Sequence, residues 1–168
     1  MRRLALISAL LAGCSPVPVG IVDTGSATPS LEATIGVPVG LLCDLVSAED
    51  VASIVRQPVS IDVRSSSTGV CTYMVAPSPG GPQYVLAIRV EDVFEDVTAV
   101  AAAFPVGRPI PAIGDAAYWS EDVSTLWFEH EDVLWVVQLV AVTSPPEDAF
   151  HLAEATALHL VTELSRIP

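Results

Sequence analysis

Residues 116–142 read AAYWSEDVSTLWFEHEDVLWVVQLVAV, and their pattern decides the fold. Three apolar runs, 116–120, 124–130 and 133–142, are separated by Glu121-Asp122 and Glu131-Asp132. Successive side chains on a strand point to opposite faces, so such runs with acidic turns between them predict three antiparallel strands. A tight turn at Glu131-Asp132 sets Phe128 opposite Trp135 and Leu126 opposite Val137, which makes that face the dry one. Trp127 and Val136 then share the other face with Thr125, Glu129 and Gln138. By the same alternation Trp119 is a core residue and Tyr118 sits with Trp127.

Upstream, residues 59–64, 70–76 and 84–90 repeat the strand pattern, with turns rich in Ser, Gly and Pro between them. Asp62, Arg64, Thr72 and Arg89 fall on the wetter side of these strands. Helices punctuate both halves. Ser47 is a good N-cap, Glu49 and Asp50 suit the first turn, Val51, Ile54 and Val55 form a stripe, and Pro58 stops the helix. Val93, Val97, Val100 and Phe104 stand at helical spacing and predict a helix over 91–104, followed by a loop over 106–113. Ser144-Pro145-Pro146-Glu147 reads as a capping box opening a last helix to about 165, which buries Phe150, Ala153, Ala157, Val161 and Leu164. The fold class is α+β in the order αβββαβββα, an antiparallel sheet of about six strands with helices mainly on one face. Helix plus three strands, twice, looks like an internal duplication, although residue identity between the halves is weak.

The start of the chain has a different character. Arg2 and Arg3 precede an apolar run over 4–11, which ends in Leu11-Ala12-Gly13-Cys14. A charged start, a short apolar core and small residues before a cut form a secretory signal over 1–13. The last four residues match the bacterial lipobox, whose cysteine is lipidated and becomes the new N-terminus. Cys14 is therefore the expected lipid anchor, and the domain belongs on the extracytoplasmic side of the cell membrane. Residues 14–38, rich in Pro, Ser, Thr, Gly and Val, form a tether, and 39–168 the single domain. Of three cysteines, Cys43 and Cys71 remain after lipidation, an even pair in an oxidising compartment, and they are expected to be disulfide-bonded.

Composition excludes several functions. The 168 residues carry a net charge of −13, two units more negative once Arg2 and Arg3 are removed. Such a surface repels phosphate backbones and excludes nucleic acid as a partner. The chain contains no lysine, which excludes Schiff-base chemistry and a lysine-based phosphate loop. Catalytic signatures are weak. Asp23-Thr24-Gly25-Ser26 resembles the active-site loop of aspartic proteases, in which two aspartates share a proton, and Asp23-Thr24-Gly25 is the alternative, hydrolytic reading. It lies in a proline-rich stretch with no second Asp-Thr-Gly. The recurring Glu-Asp pairs suit helix starts and turns, with none of the acidic spacing of a calcium loop. His151 and His159 stand about 12 Å apart along one helix, too far to complete one metal site. No catalytic, metal or cofactor residues are assigned.

Cys43-Asp44-Leu45-Val46 before a helix, Cys71-Thr72-Tyr73 in a strand, and Ile113-Gly114-Asp115-Ala116-Ala117-Tyr118-Trp119 together resemble a class of small secreted actinobacterial lipoproteins. The resemblance covers most of 43–164 and implies a lipobox, a tether and an α+β domain similar to the Mog1/PsbP-like sandwiches. Many members carry a second cysteine pair in the C-terminal half, and this chain departs from them there. The class lends no catalytic residues. Function is therefore expected to be that of a non-enzymatic binding or accessory domain. Tyr118 and Trp127 offer its binding face, and its partner is an envelope protein or a small apolar ligand.

Overall fold

The computed structural model describes residues 39–167 except 68, 78, 80, 81 and 143–145. The signal over 1–13, Cys14, the tether over 14–38 and Asp23-Thr24-Gly25 lie outside the described residues. In chain order the elements are α1 (Val39–Leu45), α2 (Ala48–Val55), β1 (Val59–Ile61), β2 (Val70–Val75), β3 (Tyr84–Val90), α3 (Val97–Ala103), β4 (Arg108–Pro109), β5 (Ala116–Ser120), β6 (Thr125–His130), β7 (Val133–Ala141) and α4 (Ala149–Leu164). The fold is α+β, with one antiparallel sheet in the order β1-β2-β3-β7-β6-β5-β4.

The sheet has seven strands among the described residues, not six. The addition is β4, whose Arg108 and Pro109 pair with Trp119 and Tyr118 inside the stretch expected to be a loop. Two residues carry no readable period, and Pro109 is tolerated because this is an edge. Two meanders, β1-β2-β3 and β4-β5-β6-β7, meet where β3 pairs with β7. The duplication suggested by the sequence does not extend to the helices, because α2 and α3 pack on opposite faces of the sheet.

Register agrees with the alternation. Phe128 pairs with Trp135, Leu126 with Val137, Trp127 with Val136 and Tyr118 with Trp127. The β6–β7 turn is Glu131-Asp132 with φ of 51° and 61°, the left-handed pair of a two-residue hairpin matched to strand twist. On the first face Tyr73, Leu86, Phe128, Trp135 and Trp119 meet Leu42 of α1, Val51 of α2 and Leu152, Ala153, Ala157 and Leu160 of α4 in one continuous core. Cys43 of α1 is disulfide-bonded to Cys71 of β2, with the Cα atoms 5.3 Å apart. The Tyr73 hydroxyl donates to the Val46 carbonyl just after α1. Burial, and then the charge of Asp50, pushes that phenol far above its ordinary range.

Helix boundaries depart from expectation for identifiable reasons. Ser47 caps α2 in a reciprocal box with Asp50, as its sequence indicates. An additional helix, α1, precedes it. The helix expected over 91–104 forms only from Val97, because Glu91 turns its carboxylate onto the amides of Asp92 and Val93, both at 3.1 Å. Asp96 then caps α3 by accepting from the Ala99 amide at 2.7 Å. At the last helix, Ser144 and Pro145 lie outside the described residues. α4 begins at Ala149 after Asp148, whose side chain makes no capping bond. Strand β1 stops at Ile61, since Asp62 accepts from the Arg64 amide and the Ser65 hydroxyl and so starts a turn.

Candidate binding surface

Among the described residues, the second face of the sheet divides into a covered and an open half. Tyr118 and Trp127, read from sequence as a binding face, lie in the covered half with relative exposures of 6% and 3%. That reading needs correction on one point: the two residues do share a face, but α3 seals it. Tyr118, Trp127, Leu134, Val136 and Val100 form a second apolar cluster, separate from the main core, with Phe94, Val97 and Phe104 packed against it. The Phe104 ring stacks on Trp127 with centroids 5.0 Å apart, and Phe94 meets Phe104 edge-on. Aromatic pairs of this kind prefer offset or edge-to-face contacts, and both are present.

Three polar contacts tie the cover down. The Tyr118 hydroxyl donates to the Phe104 carbonyl at 2.6 Å. Glu129 on β6 accepts from the Val97 amide at 2.7 Å, placing a negative charge at the start of α3. Glu91 is the centre of the third contact. Its Oε1 accepts from the Asp92 and Val93 amides, and its Oε2 accepts from Trp127 Nε1 and from Arg89, each at 3.1 Å. Burial pushes this carboxyl up. The Val93 amide, the Trp127 indole, the Arg89 charge and the Asp92 amide pull it down further, and the net result is below its ordinary value. With four donors on two oxygens, Glu91 has no free lone pair directed at a substrate, and its chemistry is that of a clamp. Gly107 lets the chain leave α3 closely, since a Cβ there would sit 2.3 Å from the Tyr118 ring.

The open half lies over β2, β3 and the later part of β7. Its floor is Met74, Val85, Ala87 and Gln138, all partly exposed, with Val140 47% exposed at one end. Register places Val85 beside Val140 and Ala87 beside Gln138, so these residues form one contiguous patch. Thr72 is covered by the turn after β1, its hydroxyl donating to the Ser65 carbonyl. Beside Val140 a shallow depression of about 360 Å³ is lined by Asp122, Val123, Ser124, Gln138, Leu139 and Ala141. At the opposite end Arg89 pairs with Glu91, and the exposed Asp92, Val93 and Glu95 follow.

The remaining candidates resolve into local contacts. Trp119 and Trp135 are buried in the main core, as their alternation implies. His151 meets Glu154 at 3.4 Å and His159 meets Asp50 at 3.8 Å, each a local contact of its own. Among the described residues, no three His, Cys, Asp or Glu side chains are grouped to hold a metal ion, and no helix is long and apolar enough to cross a membrane. Sequence reasoning missed the role of Glu91. The signal available was an acid at the end of a strand, followed by one phenylalanine before and one just after a short helix.

No protein-family model, curated protein or solved structure matches this chain.

Proposed function

We propose that this protein is a membrane-anchored lipoprotein, lipidated at Cys14 and held on the extracytoplasmic side, whose domain acts as a non-enzymatic binding or accessory module. The observation that carries the compartment is the Cys43–Cys71 disulfide, which joins α1 to the sheet and suits an oxidising environment. Arg2 and Arg3, the apolar run over 4–11 and Leu11-Ala12-Gly13-Cys14 supply the address, and the Pro- and Ser-rich residues up to 38 supply the reach. In this reading the domain is a relative of the small secreted actinobacterial lipoproteins, with a Mog1/PsbP-like sandwich.

A binding role rests on the open half of the second face, where Met74, Val85, Ala87, Gln138 and Val140 present a mixed apolar surface. The Tyr118 and Trp127 side chains support that surface from the neighbouring covered half. Fractionation tests the anchor. The native chain is expected in the detergent phase with a lipid-sized mass increment on Cys14, and Cys14→Ser in the aqueous phase. A Cys14→Ser chain that still partitions with membranes would overturn the anchor.

A further inference from the structure

We infer that the open half of the second face docks a protein partner that presents basic side chains beside an aliphatic strip. The inference rests on the reading of this domain as a binding module and names its surface and the chemistry of its partner. Among the described residues, the other surfaces are occupied or narrow. The first face is roofed by α1, α2 and α4, the covered half by α3, and the free edge β1 is three residues long. What remains is the floor of Met74, Val85, Ala87 and Gln138, with Val140 at one end and the 75% exposed Val93 beyond the other.

Charge selects the occupant. Exposed acids follow on from the floor in both directions: Asp122 lines the depression with Val140, and Asp92 and Glu95 follow β3 on the segment that leads over the covered half. Of the cations beside the floor, Arg89 is tied to the buried Glu91, and Arg64 stands exposed in the turn that covers Thr72. A second copy of a chain with net charge −13 would bring like charges together, and an anionic lipid surface would do the same. The depression beside Val140 is shallow and open, whereas small-molecule sites enclose most of their ligand. A basic protein segment satisfies both components: its aliphatic side chains cover the floor and its cations meet these acids, which also steer the encounter.

The probe is a short peptide of alternating lysine and leucine, with its glutamate–leucine counterpart as control. Binding to the full mature chain in uncharged detergent is followed by fluorescence polarisation, with detergent alone as blank. The lysine peptide is expected to bind and the glutamate peptide not. Val140→Ser and Asp122→Asn are each expected to weaken binding about fivefold or more. Glu154→Gln, on α4 across the sheet, should leave it unchanged. Three results would overturn the inference: no binding of the lysine peptide, insensitivity to Val140→Ser, or an equal loss with Glu154→Gln, which means diffuse charge attraction. Because anchoring is scored by fractionation and docking by the peptide, either reading can fail without the other.

Discussion

The two faces of the sheet are held by different means. On the first face, three helices and a disulfide enclose one continuous apolar core that runs from Tyr73 to Trp119. On the second, the seven-residue α3 covers only β5, β6 and the start of β7, over a small separate cluster. Its hold depends on two carboxylates, Glu91 and Glu129, and one phenol, Tyr118. The first face is thus a cohesive unit and the second a small apolar seal with charged fastenings. Apolar area and covalent closure are insensitive to mild acid. Carboxylate clamps are not.

Adjacent residues allow a direct contrast. Phe128 points into the first core and Trp127 into the second cluster. Phe128→Ala is expected to cost about 4 kcal/mol in chemical denaturation, with the whole cooperative transition shifted to lower denaturant. Removal of the disulfide, by Cys43→Ala with Cys71→Ala, should cost about 3–4 kcal/mol in the chain-entropy view of a loop of this length. Trp127→Ala should cost about 3 kcal/mol. A change below about 0.5 kcal/mol, typical of surface positions, would mean that α3 does not seal this face.

Glu91→Gln keeps the size of the side chain but loses its charge-assisted bonds, and a loss of about 1–3 kcal/mol is expected. The same residue sets a pH dependence. Its carboxyl lies below the ordinary value of 4.5 in the folded chain, so its stabilisation is complete above that value. As pH falls through the lower folded value, the proton binds and the contribution disappears. Stability of the native chain should therefore drop more steeply below pH 4.5 than that of Glu91→Gln. Parallel acid profiles for the two proteins would remove Glu91 from the role of clamp.

Much of the sheet was legible because alternation and turn chemistry are local. The pairings of Phe128 with Trp135 and Trp127 with Val136 follow from the run 124–142 and the turn at Glu131-Asp132. The Ser47–Asp50 capping box follows from four residues. What stayed hidden depends on distant partners. Arg108 and Pro109 form a strand only because Trp119 and Tyr118 offer free backbone groups. The amphipathic stripe of Val97, Val100 and Phe104 shows that a helix forms, but not which face of the sheet receives it. Alternation placed Tyr118 and Trp127 together without showing that this helix would cover them. Glu91 looked like a helix-start acid, and only its bond to Trp127, 36 residues away, reveals the clamp.

Amide hydrogen exchange tests the contrast most directly, by comparing Val97–Ala103 with Ala149–Leu164 in the same native chain. If α3 is a separately fastened seal, its amides should exchange through local opening at least about tenfold faster than those at the centre of α4. That gap should widen as Glu91 becomes protonated in acid. Equal protection of the two helices across the acid range would contradict it, and the two faces would then belong to one cooperative unit.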